Sequence, residues 1–546
     1  MTASEQSKAK GNPWRRLALC ISLANLLFIE AWVLLNFNFL DYRLHTPLAT
    51  LYFEVILDAV VLGCAFFLID ALLARTRWQR QIRGFVLVAA TLFILRTLNS
   101  TLGYRWLSLP ASLFGAPGPQ RTVLTGLVVI AVVLAIYFLS RVGWIVRTLR
   151  TLLLAFSPFI LINVALATLA LSKNASYRDL PPIQAAPSKP GPRVVWILMD
   201  TLDYHYAFES PPSWLRLPNF DRLRNESVDF TYALAPGSRT EISIPGLFTG
   251  VQFKNQSIVS TGDFDMTRLD GVHCHFRGMD TVFRDAEEMG ARSAVLGIHL
   301  PYGRLLGDQT SYCRWWQWPD QFPSGESWLH SSLDDFTFLM RERQKGEQSV
   351  ERQLRSHEQE IAEASALAAD PRYRLEYFHL FPPHLPCMFD ARTGSPDVDS
   401  QWNADPYENS LAFADRALGE IRRSMEAAGT WDTSLVILTA DHSFRVGGEL
   451  GYKVYPRIPF LCHLPKQTAR VAVGDKINTI CTHDMLLAYL DGQLRTPQEL
   501  AGWVVEWIRN HPKVPLTDIP PGPVSHGDLG ANLGFVADRS PVRTGN

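Results

Sequence analysis

Four side chains in this sequence are of the types that bind a divalent metal ion and activate a hydroxyl group. Asp200 ends the apolar run VVWILMD, and Asp441 and His442 end the apolar run SLVILTADH. Thr240 follows a turn of small residues and precedes a short apolar run, which predicts a place at the N-terminus of a helix. Together they offer an O/O/O/N ligand set that suits Zn²⁺ or Mn²⁺.

The hydroxyl group of Thr240 has two interpretations. It can simply cap the helix. It can also be a nucleophile, because a helix N-terminus favours negative charge and a metal ion lowers the pKa of a hydroxyl group. Ser238 and Ser243 compete for this role. Ser243 lies one turn further into the predicted helix, which favours Thr240, whereas Ser238 stays a competitor.

These residues lie far apart in the chain, so the fold must bring them together. Strand-like runs cover residues 193–200, 293–298, 373–381, 433–440 and 458–463, and helix-like runs cover 279–290, 409–428 and 498–510. This alternation favours an α/β sandwich. In such folds the functional sites gather where strands end, and Asp200, Asp441 and His442 stand at such ends.

Three motifs together resemble a known family. MDTLDYH, TEISIPGLFTG and TADHSFRVGGELG follow the order and spacing of the alkaline phosphatase superfamily, in its sulfatase-like branch, over about residues 193 to 490. Thr240 to Pro245 is most similar to the membrane phosphoethanolamine and phosphoglycerol transferases. Counting back from Thr249–Gly250 places the family's nucleophile at Thr240. Sulfatases carry a C/S-x-P-x-R sequence at this place, in which the Cys or Ser is converted to formylglycine. The Pro and Arg positions of that sequence fall on Ile242 and Ile244 here, so the modification signal is absent.

The resemblance implies one divalent metal ion, Zn or Mn in the first place and Ca as a further option. Its ligands would be Asp200, Thr240, Asp441 and His442, and Thr240 would form a phospho-threonine intermediate. The family's Asp-His-Gly-Glu is Asp-His-Ser-Phe here, so Phe444 replaces a carboxylate and a second metal ion is not expected.

The resemblance also implies substrate-binding residues. His379 and His384 in FHLFPPHLP are similar to the H-x-x-x-S-H-G-P motif of the transferases, although Pro383 replaces the Ser and Leu385 the Gly. Lys453 would hold a phosphate group as a point charge. GIHLPYG resembles the sulfatase GKWHLG motif but lacks its Lys.

The first part of the sequence predicts a membrane domain. Five apolar stretches have a length close to the roughly 20 residues that a helix needs to span a bilayer. They cover about residues 17–38, 51–74, 84–103, 122–141 and 149–172. Lys and Arg cluster before the first stretch and after the second and fourth, which predicts a cytoplasmic N-terminus and an exported second part.

The predicted architecture is therefore a multi-pass α-helical membrane domain followed by an α/β sulfatase-like sandwich. We expect a membrane domain over residues 1–173 with five spans, a Pro-rich linker over 174–192, a catalytic domain over 193–535 and a disordered tail over 536–546. The charged segment 327–369 is expected to be a solvated surface helix. Five of the seven cysteines lie in the second part, where one or two disulfides can form.

Three functions from different classes fit these features. The first is a transferase in the plasma (inner) membrane that moves phosphoethanolamine or phosphoglycerol from a phospholipid donor to an envelope lipid or glycan outside the cytoplasm. The second is a sulfatase-like hydrolase of phosphodiesters or sulfate esters, which Asp200–Thr201 favours because transferases carry Glu-Thr there. The third is a non-catalytic membrane scaffold or sensor. The net charge of −1 gives no indication of a nucleic-acid partner.

Overall fold

The computed structural model describes residues 13–29, 32, 48–73, 79–101, 133–174, 188–260, 262–316, 347–397 and 405–517. The predicted tail, most of the predicted linker and residues 327–346 of the charged segment lie outside the described residues. The chain divides into two compact units. The described residues up to 174 belong to the first unit, and those from 188 to 517 belong to the second.

The described part of the first unit is helical. Its helices are α1 Pro13–Leu27, α2 Leu48–Leu73, α3 Gln79–Thr101, α4 Gly143–Ala155 and α5 Phe159–Asn174, and residues 133–141 are helical as well. Two stretches of the described residues, Tyr52–Leu73 and Gly143–Leu169, are long and apolar enough to cross a membrane. They match the second and fifth predicted spans, and the other three spans stay predictions.

Charged residues near the ends of three of these helices meet. Asp70 in α2 accepts hydrogen bonds from Arg16 of α1, whose Nε lies at 2.9 Å, and from Arg83 of α3. The start of α1, the end of α2 and the start of α3 therefore lie on the same side of this unit. The sequence places the same three positions on one side of the membrane through their basic residues.

The second unit is built on a mixed sheet. Its strands are β1 Arg193–Met199, β2 Val228–Leu234, β3 Phe253–Ser260, β4 Asp263–Arg268, β5 His273–His275, β6 Ser293–Ile298, β7 Tyr312–Trp316, β8 Leu375–Leu380, β9 Phe389–Asp390, β10 Ser395–Pro396, β11 Ser434–Thr439, β12 Arg457–Ile458, β13 Phe460–His463 and β14 Val471–Asn478. Its helices are α6 Pro218–Asn225, α7 Thr240–Thr249, α8 Val282–Glu288, α9 Tyr302–Leu306, α10 Glu347–Ala368, α11 Pro406–Ala428, α12 Thr482–Leu490 and α13 Pro497–Asn510.

The large sheet has the order β12-β2-β13-β11-β1-β8-β6-β7, and β14 pairs with β2. Strands β7, β6, β8, β1 and β11 are parallel, and β11 and β2 both run antiparallel to β13. It follows that β2 runs in the same direction as β1, β8, β11 and β6. The carboxyl ends of these five strands therefore lie at one edge of the sheet.

The central strands are apolar because both faces are covered. Every residue of β1, RVVWILM, is buried, and so is every residue of β6, β8 and β11. Continuous apolar runs are typical of parallel strands with helices on both faces. At the amino end of β1, Arg193 pairs with Glu376 of β8 at 2.7 Å, with both side chains buried. Removing one partner would leave a buried charge at a cost of about 3–5 kcal/mol.

The α/β prediction is confirmed, and the five predicted strands and three predicted helices occur within a few residues of their expected bounds. The prediction of a solvated helix over 327–369 was wrong for its described part. Helix α10 buries one face, including His357 and Glu360, and the His357 ring stacks on Phe381 with centroids 4.0 Å apart. The many charged residues of this segment made its sequence resemble that of a fully solvated helix. All seven cysteines are described and free, so neither of the one or two possible disulfides occurs among them.

Candidate metal centre and active site

The carboxyl edge of the large sheet gathers the predicted metal ligands. Asp200 directly follows β1, and Asp441 follows β11 after one residue. Thr240 is the first residue of α7, which comes after β2. These strands run in the same direction, so side chains from distant parts of the chain meet at one place. Both carboxyl groups and the Thr240 side chain are buried.

A histidine completes a compact cluster with the two carboxyl groups. One oxygen each from Asp200 and Asp441 and a ring nitrogen of His379 all lie within 4.8 Å of one another. His379 stands in β8, beside β1, and is completely buried. Its Nε2 lies 3.9 Å from Asp200 Oδ2 and has no hydrogen-bond partner among the described residues. A buried nitrogen facing two carboxylates in this way fits a divalent metal ion.

The other nitrogen of His379 is held in place. Nδ1 lies 2.6 Å from the hydroxyl oxygen of Tyr302, which is also completely buried. A metal-facing Nε2 requires the proton on Nδ1, from which it donates to Tyr302. Burial, together with the nearby histidines and against the opposing charge of Asp441, lowers the pKa of His379 to about 3. The imidazole is therefore neutral at physiological pH, as a metal ligand must be.

His442 lies against the same carboxyl groups. Its Nε2 is 3.3 Å from Asp441 Oδ2 and 4.0 Å from Asp200 Oδ1. Its Nδ1 lies 3.0 Å from the carbonyl oxygen of Ser443, to which it can donate. This contact leaves the Nε2 lone pair facing the carboxylates. The structure thus brings Asp200, Asp441 and His442 together as the sequence predicts.

Thr240 contacts this cluster directly. Its hydroxyl group donates to Asp441 Oδ2 at 2.6 Å. The backbone N–H groups of the first turn of α7 lie beside this hydroxyl, and their dipoles favour negative charge on it. Gly250, with a φ of 67°, ends the helix in the left-handed region. A Cβ at this position would lie only 3.2 Å from the His483 ring, so both the backbone conformation and the close packing favour glycine after Thr249.

The two competing hydroxyl groups do not contact the cluster among the described residues. Ser243 is completely buried within α7, and its Oγ has no hydrogen-bond partner in the described part of the chain. Ser238 is also buried but has no recorded contact with Asp200, Asp441 or His442. Thr240 is thus the hydroxyl of the turn that contacts a predicted metal ligand.

The electrostatics of Asp441 favour its charged form. Burial by itself raises the pKa of this carboxyl group. The attraction of His442 and the hydrogen bonds from Thr240 and the Thr201 backbone outweigh burial, so the pKa lies below its usual value. The Thr201 N–H donates to Asp441 Oδ1 at 3.2 Å. Asp441 is therefore a carboxylate that accepts the hydrogen bond of the Thr240 hydroxyl group.

The remaining predicted residues lie in two different settings. His384 is partly exposed and lies close enough to the cluster that Asp441 and His442 influence it. Burial lowers its pKa to about 4, although a contact with the Leu385 carbonyl raises it. Lys453 is exposed, and its ammonium group lies over the Tyr455 ring at 5.1 Å. Among the described residues, Lys453 has no contact with the cluster.

Sequence reasoning missed several neighbours of the cluster. Thr201 has a φ of 62° and His299 a φ of 74°, values that non-glycine residues rarely adopt. Such backbone strain is often found at functional sites. His299 Nε2 lies 3.0 Å from Oε1 of Glu241, the residue that directly follows Thr240 in the chain. His299 and Tyr302 lie in the GIHLPYG motif, Thr201 in MDTLDYH and Glu241 in TEISIPGLFTG, but the motifs assigned no role to Thr201, Tyr302 or Glu241.

Phe444 occupies the position where the family pattern has a carboxylate. Its ring is buried and stacks on Tyr407, with centroids 3.7 Å apart and planes within 4°. An aromatic ring packed in this way offers no metal ligand. Phe444 therefore contributes no carboxylate at this edge of the sheet.

Comparison with known proteins identifies the family. The family model named Sulfatase matches residues 192–490, more than half of the 546 residues. The chain therefore belongs to the sulfatase family, and the resemblance to the sulfatase-like branch of the alkaline phosphatase superfamily is confirmed. This family carries out phosphoryl or sulfuryl transfer or hydrolysis. No curated protein matches the sequence.

Solved structures show distant similarity. A protein of the alkaline phosphatase superfamily from Vibrio parahaemolyticus is 18% identical, with a TM-score of 0.35 over 59% of this chain and 72% of that one. A phosphonate monoester hydrolase from Silicibacter pomeroyi is 13% identical, with a TM-score of 0.35 over 55% and 73%. The C-terminal periplasmic domain of EcEptC from Escherichia coli, in complex with Zn, is 13% identical, with a TM-score of 0.37 over 57% and 86%. Likeness at this level does not identify a substrate.

Proposed function

We propose that this protein is a membrane-anchored, metal-dependent transferase that uses Thr240 as its nucleophile. It takes a phospho-alcohol head group, phosphoethanolamine or phosphoglycerol, from a phospholipid and passes it to an envelope lipid or glycan. The observation that carries this proposal is the 2.6 Å hydrogen bond from the Thr240 hydroxyl to Asp441, in a buried cluster of two carboxylates and the His379 imidazole, with the partly buried His442 beside it.

The metal ion would be held by Asp200, Asp441 and His442, with Thr240 as a further oxygen ligand. His379 belongs with these ligands rather than with the substrate, because its Nε2 faces Asp200 and is buried. The donor set of carboxylate oxygens and neutral imidazoles suits Zn²⁺ or Mn²⁺. When bound, such an ion supplies charge that favours the alkoxide form of a hydroxyl group and polarises a phosphoryl oxygen.

The protein's own groups support the first step. The Thr240 oxygen attacks the phosphorus atom of the donor, and the phosphorus–oxygen bond to the diacylglycerol breaks. Asp441 accepts the Thr240 proton along the existing hydrogen bond, and the leaving diacylglycerol oxygen takes up a proton from solvent. In the second step, a hydroxyl group of the acceptor gives its proton to His384 and attacks the phospho-threonine. The bond between phosphorus and the Thr240 oxygen breaks, and this oxygen takes back the proton held by Asp441.

His384 is proposed to bind the substrate. Its lowered pKa keeps the imidazole neutral at physiological pH, so it can accept a hydrogen bond or a proton from the acceptor hydroxyl group. Its partial exposure at the edge of the cluster gives the substrate access. Lys453 has less support for a phosphate-binding role, because its described contacts are with Tyr206 and Tyr455.

The first unit supports a place beside the phospholipid donor. Two stretches there are long and apolar enough to cross a membrane, and the meeting of Arg16, Asp70 and Arg83 fits a shared cytoplasmic side. We therefore place the protein in the plasma (inner) membrane, with the N-terminus in the cytoplasm and the sulfatase-family unit on the periplasmic or extracellular side.

A hydrolase of phosphodiesters or sulfate esters is the second candidate. It is favoured by Asp200, since the early acidic ligand of the transferases is Glu, and by the family match itself. The same cluster would serve both reactions, with water in place of the acceptor hydroxyl. A non-catalytic scaffold is disfavoured because a buried group of ionisable residues is costly to keep without a ligand.

Intact-mass analysis of the full-length protein in phospholipid-containing detergent micelles tests the proposal. We expect a head-group adduct on Thr240, together with released diacylglycerol, and neither in Thr240→Ala. Adding an envelope glycolipid should remove the adduct and modify the glycolipid. Cleavage of a sulfate ester with no adduct from any phospholipid would overturn the transferase in favour of the hydrolase.

A further inference from the structure

A second group of histidine and aspartate residues lies on the small sheet β3-β4-β5 of the same unit. Strand β5 consists of His273, Cys274 and His275. In a strand, residues two apart point to the same face, so the two imidazoles share one face. The antiparallel register places Asp265 of β4 directly opposite His275, and Asp263 and Asp265 lie on this same face.

Each imidazole is paired with one of these carboxyl groups. His273 Nδ1 lies 3.0 Å from Asp265 Oδ2, and His275 Nδ1 lies 2.8 Å from Asp263 Oδ2. Asp263 is held in turn, since its other oxygen accepts the Arg277 backbone N–H at 3.1 Å. A proton shared with a carboxylate stays on Nδ1, so the lone pair of each imidazole is on Nε2.

Both imidazole rings are largely exposed to solvent. The side chains of His273 and His275 are 65% and 61% exposed, and among the described residues the hydrogen-bond partner of each ring is its carboxylate, at Nδ1. Cys274 lies on the other face, with its sulfur 3.7 Å from the Met266 carbonyl oxygen and 3.8 Å from the Met279 sulfur. The thiol is therefore not part of this group.

We propose that His273 and His275 form a second metal-binding site, which takes a divalent transition metal ion such as Zn²⁺, Ni²⁺ or Cu²⁺. A histidine that ligates a metal ion usually donates its other N–H group to a carboxylate or carbonyl oxygen. Here two such pairs stand side by side, and the Cα atoms of their histidines are about 7 Å apart along one strand. Two imidazole nitrogens held in this way can bind one ion from adjacent positions, with water filling the remaining positions.

This site is separate from the centre at the carboxyl edge of the large sheet. Its ligands come from one hairpin of the small sheet, whereas the other centre draws on β1, β8, β11 and α7. The second site binds through nitrogen atoms exposed to solvent, so we expect rapid exchange with free metal ions. It does not depend on the proposed transferase activity.

The test is a Zn²⁺ titration of the full-length protein in detergent, with bound metal measured by elemental analysis after equilibrium dialysis. We expect the parent to bind one more equivalent than the double variant His273→Gln, His275→Gln. His511→Gln is the matched control, because His511 is also exposed and has its Nδ1 2.7 Å from an oxygen, the Trp507 carbonyl, but has no second histidine beside it in the part of the chain that the structure describes. It should bind as much metal as the parent.

A second measurement separates a built site from two independent surface histidines. Cu²⁺ bound to the parent should show coupling to two imidazole nitrogens in electron paramagnetic resonance, and to one in His273→Gln. Asp265→Asn should weaken binding about 10- to 100-fold, because the orienting carboxylate is lost. Equal metal content in the parent and the double variant, or coupling to a single nitrogen in the parent, would overturn the proposal.

Discussion

The two groups of candidate metal ligands differ in how they are assembled. Thr240 and Asp441, which share a hydrogen bond in the first centre, are 201 residues apart in the chain. His273 and Asp265 on the small sheet are only 8 residues apart. The first centre is buried and the second is exposed. A buried centre needs the whole sheet in register, whereas the exposed pair needs one hairpin.

This difference determines what each group can do. Burial keeps His379 neutral and places Thr240 in a region where charge–charge interactions are strong. An exposed pair of imidazoles can bind an ion, but water screens its charges and fills its open positions. Covalent chemistry is thus expected at the first centre, and metal binding without chemistry at the second.

The largest expected effect is at the nucleophile. Thr240→Ala should abolish head-group release from a fluorescent phospholipid, because no other group can form the covalent intermediate. Thr240→Ser should keep part of the activity since the hydroxyl remains. Ser238→Ala and Ser243→Ala are the matched controls and should be milder. An active Thr240→Ala variant beside an inactive Ser238→Ala variant would move the nucleophile two residues upstream.

The next effect is on metal content. Asp441→Ala and His379→Ala in the full-length protein should each lower the tightly bound metal from about one ion per chain, because each removes a ligand from a buried set. Elemental analysis after dialysis against a weak chelator checks this. If His379→Ala retains its metal while Asp441→Ala loses it, His379 binds substrate as the sequence predicted.

A smaller effect is expected from the residue that holds His379. Tyr302→Phe removes only the hydroxyl group that pairs with Nδ1 at 2.6 Å. Metal affinity should fall about 10- to 100-fold, as is typical for loss of an outer partner of a metal-bound histidine. Competition with a chelator of known affinity measures it. Unchanged affinity would show that His379 does not ligate the ion.

The smallest effect concerns pH and lies in helix α10. Burial lowers the pKa of His357 from 6.5 to about 3, with His384 acting in the same direction. Between these values the unfolded chain carries a proton that the folded chain excludes. His357 therefore contributes stability that is full above about pH 6.5 and is lost as the pH drops towards 3.

His357→Phe keeps an aromatic ring against Phe381 and removes this titration. Its thermal unfolding midpoint should fall less steeply than that of the parent between pH 6 and pH 4. The exposed His511→Phe serves as the control and should follow the parent. Parallel curves for the parent and His357→Phe would mean that His357 is charged in the folded protein.

Much of the fold and half of the site could be predicted from particular residues. The apolar runs ending in Asp200 and Asp441 indicated both the strands and the ligands, because parallel strands buried on two faces must be apolar throughout. The sequence predicts a substrate-binding role for His379, because FHLFPPHLP indicates a strand and a loop but not which strands β8 pairs with. The sequence predicts that helix α10 is solvated because it is rich in charged residues, whereas one face of the helix is buried.

The sequence by itself determined the family, the strand ends and the turn that carries Thr240, because these depend on local patterns of apolar, small and ligating residues. Only the tertiary structure decided that His379 faces Asp200, that Thr240 and not Ser238 or Ser243 donates to Asp441, and that Phe444 stacks on Tyr407. These contacts depend on strand order and register, which join residues far apart in the chain. The pairing of β1 with both β8 and β11 brings the three ligand-bearing strand ends together.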